Sequence, residues 1–319
     1  MVKVAIAGGS GQVAREVIDA LLESKHHDMT ILSRRAVPPK TFTSTLEWQI
    51  VDYNDVKSLT RALNGVHTVL SFIQTLGDFE QKVQKNLIDA AIEAGVKRFS
   101  PSEYGRHCGY VLVRAKRMSE VHIHIANTLS RDSQVLEYSL FQPGLFLDYL
   151  AYPYKTSKYV DPLQTIFDFQ NKRGIVVEGH EDAIINFTSV KDFAAIVARA
   201  VDYEGGRWPI IGGIRGNRLT FAQILAIGES VRGHPFAIEK AKIEDLEAGE
   251  LKTVWNIEAT HHAAFNADSI DMHKAVSVGI LLSSTKGAWD SSDEINRLFP
   301  DFQFTKATEF LAEVWEGQP

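Results

Sequence analysis

Val4-Ala5-Ile6-Ala7-Gly8-Gly9-Ser10-Gly11-Gln12-Val13-Ala14 stands at the start of the 319-residue chain, and its reading decides the fold. The apolar run from Val2 to Ala7, broken only by Lys3, predicts a buried parallel strand. After the glycine-rich turn, Val13, Val17, Ala20 and Leu21 recur at helical spacing. Strand, tight turn and helix make the front half of a βαβ unit. The first glycine permits the turn, Gly11 lets a pyrophosphate approach the backbone, and Ala14 allows the helix to pack closely on the strand. The helix N-terminus then offers N–H groups and a partial positive charge to phosphates. Cofactor contacts are therefore expected at Gly8, Gly9, Ser10, Gly11, Gln12 and Val13. A tight turn that holds no ligand is the alternative.

Composition narrows the class. Hydrophobic residues at 45% and charged residues at 23% suit a water-soluble globular enzyme or binding protein. A net charge of -6 and the lack of any Lys/Arg-rich block argue against nucleic acid as a partner. The single cysteine, Cys108, excludes an intramolecular disulfide framework and a Cys-rich zinc site. No apolar run approaches the ~20 residues of a membrane span, and the first strand begins at Val2. A cytoplasmic protein without a membrane partner is expected.

The second strand, Met29 to Leu32, ends in Ser33-Arg34-Arg35, where a Rossmann fold meets the adenosine ribose. Arginine there accommodates a 2′-phosphate, so the pair favours NADP(H). A solvated basic loop is the alternative reading. Glu47 to Asp52 reads as the third strand, with Asp52 and Tyr53 near the expected adenine, and Asp55 as the cap of a helix through Leu63. Val66 to Ile73 is a fourth strand, whose Ser71, Phe72 and Ile73 belong beneath the central ribose and nicotinamide. A helix from Phe79 to Ala94 and a fifth strand ending at Ser100 follow. Strands alternating with helices at this cadence predict an α/β, doubly wound parallel sheet, with Pro101 to Tyr104 beside the nicotinamide.

Gly8-Gly9-Ser10-Gly11, Ser33-Arg34-Arg35 and above all Ala94-Gly95-Val96-Lys97-Arg98-Phe99-Ser100-Pro101-Ser102-Glu103-Tyr104-Gly105 resemble the NmrA-like and isoflavone-reductase-like atypical short-chain dehydrogenases/reductases. Leu136 to Phe146 is similar to that family's sixth strand and following turn, which brings Pro143 to the cofactor. Asp293 to Asp301 is similar to fungal members. The resemblance spans nearly the whole chain. It implies a Rossmann domain over 1–144 and a smaller α+β substrate lobe over 145–319, with segments such as 183–212 returning to the core. It also implies NADPH and a small hydrophobic, often aromatic, specialised metabolite as substrate.

The family places a working lysine on the helix after the Pro-Ser-Glu-Tyr-Gly loop, and the lysine available is Lys116. Beside a nicotinamide it could hold ribose hydroxyls or exchange a proton. A surface lysine between Arg114 and Arg117 is the alternative. Glu103 and Tyr104 are further catalytic candidates, against readings as a helix cap and a packing aromatic. A Tyr-x-x-x-Lys pair, Tyr154 to Lys158, falls after the sixth strand and reads as coincidence in a polar loop. Position 112 is leucine, so no tyrosine precedes Lys116 by four. His122 and His124 face different ways on a helix, and His261-His262 lack acidic companions, so no metal is expected.

Beyond Gly144, strands are expected at 174–178, 183–187 and 208–211, and helices at 188–201, 220–232, 269–278 and 305–315. The aromatics between Leu145 and Thr165 are expected to wall an apolar pocket. Three functions are open. One is an NADPH-dependent reductase of a C=O, C=C or C=N bond, working as a monomer or homodimer. A second is an NADP-sensing regulator with no catalysis. The third is a non-redox cyclisation or condensation that uses acid/base residues over a bound cofactor.

Overall fold

β1 (Val2–Ala7) and β2 (His27–Ser33) pair in parallel, from Val2 opposite His27 to Ala7 opposite Leu32. Between them, α1 (Gln12–Ser24) buries Ala14, Val17, Ile18 and Leu21, one apolar stripe at i, i+3, i+4 and i+7. Burying each larger side chain of that stripe stabilises the fold by about 1.5–3 kcal/mol. α1 ends where Lys25 turns left-handed at φ 55° and donates its N–H to the Leu22 carbonyl at 3.1 Å. These positions come from a computed structural model, which describes residues 2–35, 46–74, 81–104, 136–255, 257 and 269–319.

The strands β3 (Glu47–Ile50), β4 (Thr68–Ser71), β5 (Arg98–Ser100) and β6 (Glu137–Tyr138) complete a six-stranded sheet in the order β3-β2-β1-β4-β5-β6. Every pairing in it is parallel. Ala7 lies opposite both Leu32 and Ser71, and Leu70 opposite Ser100, so the strand tips leave at one edge. Two helices supply much of the cover: α2 (Val56–Ala62), capped by Asp55 Oδ1 accepting the Lys57 N–H at 3.0 Å, and α3 (Lys82–Glu93), which ends before Gly95 at φ +71°. α3 buries Leu87, Ile88, Ala90 and Ala91.

Contacts divide the described residues into two units, one of 2–35, 46–74, 81–104, 136–141 and 193–212, the other of 142–192, 213–255, 257 and 269–319. The second begins within β7 (Leu140–Gln142) and contains β8 (Leu145–Phe146), β9 (Phe167–Asp168), β10 (Arg173–Val177) and β11 (Ile184–Thr188). α4 (Val190–Asp202) starts in the second unit and carries the chain into the first, up to β12 (Ile211–Gly213). Its first turn is fixed by Asp148 Oδ2, which accepts the Val190 N–H at 2.7 Å. Then come β13 (Asn217–Thr220), α5 (Phe221–Arg232), β14 (Ala237–Ala241), α6 (Ile243–Glu247), α7 (Ser269–Ser284), α8 (Glu294–Leu298) and α9 (Ala307–Trp315). A capping box between Thr220 and Gln223 starts α5. Two three-stranded sheets, β14-β10-β9 and β13-β11-β8, enclose a core in which Phe221 meets Phe167 edge-on at 5.0 Å.

Candidate functional site

The turn after β1 is built around steric limits. Gly8 sits at φ +74°, and a Cβ there would lie 2.6 Å from the Phe72 carbonyl oxygen. A Cβ at Gly9 would lie 2.8 Å from Ile31 Cγ2. Gly11 closes the turn by donating its N–H to the Gly8 carbonyl at 2.9 Å. An added Cβ at Gly11 would press on the Gly8 carbonyl oxygen at 3.2 Å, with nothing else within 4 Å. Gly11 is the N-cap of α1, whose first turn carries no acidic side chain, so the positive end of the helix stands uncompensated by any acid of that turn.

A cleft of about 590 Å³ opens along this turn. Gly8, Gly9, Ser10 and Gly11 line it at the centre, and Ser33, Arg34 and Arg35 line it at the tip of β2. Phe72, Ile73 and Gln74 line it beyond β4. The Ser33 hydroxyl accepts the Arg35 N–H at 3.1 Å and donates to the Arg35 carbonyl at 2.9 Å, which folds the tip of β2 back and leaves both arginines exposed.

Tyr53, rather than Asp52, lines the cleft near β3. The Asp52 carboxylate is exposed and accepts the Asn54 N–H at 2.9 Å, while Tyr53 is buried and donates its hydroxyl to the Leu32 carbonyl at 3.0 Å. Burial pushes the Tyr53 hydroxyl well above the usual phenol range, with an opposing pull from the Gly8 backbone amide and the Arg34 charge. Trp48 and Val83 also line the cleft; apolar side chains inside a strand and a helix carry no local signal that distinguishes a wall from core.

Ser71 and Ser100 are buried beneath the sheet edge and do not count among the lining residues; nor do Gln12 and Val13, in the first turn of α1. Ser71 Oγ donates to Gln84 Oε1 at 3.0 Å, the same oxygen that accepts the Ser102 N–H at 3.2 Å. Gln84 is a polar residue on the buried face of α3, in helical phase with Ile88 and Ala91, and that break in the apolar pattern is the sign of it in the sequence. Tyr104 stacks on Phe72 at 4.8 Å, and its hydroxyl lies 3.5 Å from Ser100 Oγ. The Glu103 side chain is buried and close enough to Tyr138 to help burial push that phenol upward. Pro143 belongs to the second unit, where its carbonyl accepts from Asn186 Nδ2 and Thr188 Oγ1, both at 2.8 Å.

Lys116, Cys108, His122, His124, His261 and His262 lie outside the described residues. Among the described residues, no group of His, Cys, Asp and Glu could hold a metal ion, and no helix is long and apolar enough to cross a membrane. In the Tyr154 to Lys158 stretch, Tyr154 packs edge-on against Trp315 at 5.4 Å and Lys158 lies over Tyr159, so that pair is spread over the second unit's own packing.

The parallel sheet, its strand order and the glycine turn feeding α1 define a Rossmann-type α/β protein. The chain belongs to the NmrA-like family, which it matches over residues 2–311, and it is an oxidoreductase of the isoflavone-reductase-like type. It is 26% identical to oxidoreductase swnN of Metarhizium robertsii, covering 99% of this chain and 98% of that protein. It is 27% identical to oxidoreductase BOA1 of Botryotinia fuckeliana, over 94% and 95% of the two chains. The fold is shared with the solved structure of AtPrR2 with NADP+ and (+)-pinoresinol, at a TM-score of 0.68, 18% identity and 98% coverage of each chain.

Proposed function

We propose that the protein is an NADPH-dependent reductase acting on a C=O, C=C or C=N bond of a small hydrophobic, aromatic metabolite, in the cytoplasm, as a monomer or homodimer. The observation that carries this reading is a single cleft lined both by the glycine turn of α1 and by Arg34 and Arg35. The residues present fit such a cofactor. Gly8 and Gly9 are packed where no Cβ fits, Gly11 lines the cleft, and the end of α1 is positive, as a pyrophosphate requires. Two guanidinium groups at the tip of β2 suit a 2′-phosphate. AtPrR2, solved with NADP+ and (+)-pinoresinol, supports both the cofactor and an aromatic substrate.

On this reading the first unit is the dinucleotide-binding domain and the second the substrate lobe. Bound NADPH supplies the hydride. Gly11 and the N-terminal amides of α1 hold the pyrophosphate, and Arg34 and Arg35 hold the 2′-phosphate. Lys116 exchanges the proton or orients the ribose, with Glu103 as the second acid/base candidate. The test is to incubate the protein with NADPH and an aromatic enal, quinone or imine and to follow the reduced nicotinamide absorbance. Oxidation of NADPH that depends on both protein and acceptor is the expected result. A Lys116→Met variant should lose about 10²–10⁴-fold in kcat with KM little changed. A cofactor that binds and is never oxidised by any of these acceptors would remove the reductase assignment.

A further inference from the structure

We infer that Tyr104 is a positioning residue: its ring holds Phe72 as a fixed wall for the nicotinamide half of the cleft. This rests on the cofactor reading above.

The strand order sets which half of the cleft is meant. β2 and its arginines lie on one side of β1, and β4 lies on the other. A dinucleotide whose pyrophosphate sits at the α1 end, with its adenosine over β2, therefore extends its second nucleoside over β4. Phe72 is the first residue after β4 and lines the cleft there. Its backbone is tied to β1, because the Phe72 N–H donates to the Ala7 carbonyl at 2.8 Å. Its ring is held from behind by Tyr104, with ring centres 4.8 Å apart and planes within 11°. Phe193 of α4 meets the Tyr104 ring edge-on at 5.4 Å.

Hydrogen bonds lace the two segments together behind the rings. Ser102 Oγ donates to the Ile73 carbonyl at 2.8 Å, and Gln84 Oε1 joins Ser71 to the Ser102 amide. The Tyr104 hydroxyl faces Ser100 Oγ, and burial keeps it protonated far beyond the usual phenol range. The geometry therefore puts the flat ring to use, with the hydroxyl needed only for local packing.

The test compares two ligands on two variants. NADPH reports on the whole cleft, and adenosine 2′,5′-bisphosphate reports on the adenosine half alone. Tyr104→Phe should keep wild-type affinity for both. Tyr104→Leu should weaken NADPH by about 2- to 10-fold, the range that aromatic stacking supplies. It should leave the bisphosphate unchanged and alter the emission of bound reduced nicotinamide. If Tyr104→Leu does not fold, Phe193→Leu removes the edge contact and carries the same expectation in smaller measure. Unchanged NADPH affinity and emission in the leucine variants would overturn the inference. So would equal losses for both ligands, which report general damage, or a Tyr104→Phe defect as large as that of Tyr104→Leu. If wild-type protein binds neither ligand, the cofactor reading itself falls and takes this one with it.

Discussion

Gly8 and Phe72 approach so closely that a Cβ on Gly8 would stand 2.6 Å from the Phe72 carbonyl oxygen. The obstacle is backbone, and it cannot rotate aside. Gly8 also sits at φ +74°, which costs an L-residue roughly 1–2 kcal/mol in itself. Gly8→Ala is therefore expected to destabilise the protein by about 2–5 kcal/mol, combining backbone strain with overpacking. Urea unfolding checks it. A variant as stable as wild type would mean that the turn relaxes at no cost.

Arg34 and Arg35 are exposed at the tip of β2, where the Ser33 hydroxyl ties down the Arg35 backbone. A hydrogen bond to a charged partner contributes roughly 1.5–3 kcal/mol, so each arginine that grips the 2′-phosphate should be worth about ten- to a hundredfold in NADPH affinity. Calorimetry on Arg34→Ala and Arg35→Ala should show that loss for NADPH and almost none for NADH. Equal losses for both cofactors would assign the arginines to something other than the 2′-phosphate.

The first unit was largely legible because parallel strands buried on both faces announce themselves as apolar runs, and β1, β2 and β4 do so. The segment from Trp208 to Ile211 shows where this signal fails. It is apolar enough for a strand, yet the strand there is Ile211–Gly213. Trp208 is occupied elsewhere: its indole N–H donates to the Ala200 carbonyl at 2.8 Å, and Arg98 lies over its ring at 5.1 Å. α7 runs six residues past the expected stop at Val278, because Ser283 and Ser284 return their hydroxyls to the Gly279 and Leu281 carbonyls instead of ending the helix. In the cleft, glycines and arginines could be read from residue type alone. Tyr53 could not be separated from Asp52, since which neighbour turns inward depends on the Leu32 carbonyl, 21 positions away.

Two partly buried histidines make stability depend on pH. Burial holds the His27 imidazole below its ordinary 6.5, with Asp202, 3.0 Å away, opposing in part. Burial and the Arg98 charge lower His67 in the same way. The unfolded chain therefore binds more protons than the native one just below the ordinary imidazole value. This contribution is complete above that value and is lost as pH falls toward the folded-state pKa, with a slope of at most ~1.4 kcal/mol per pH unit for each group. Urea unfolding between about pH 7.5 and 5 should show wild type losing stability more steeply than His27→Gln or His67→Gln. Parallel slopes in all three proteins would contradict this.

Calorimetric titration of NADPH into wild-type protein and into Gly11→Val tests most directly whether the glycine turn holds a dinucleotide. Gly11 lines the cleft, and a valine side chain there would take up the room a pyrophosphate needs, at the cost of a small shift of the Gly8 carbonyl 3.2 Å from its Cβ. Wild type is expected to bind saturably, and Gly11→Val to remain folded with no measurable binding. NADPH bound by Gly11→Val at wild-type strength would contradict it, and the glycine turn would then be a turn only.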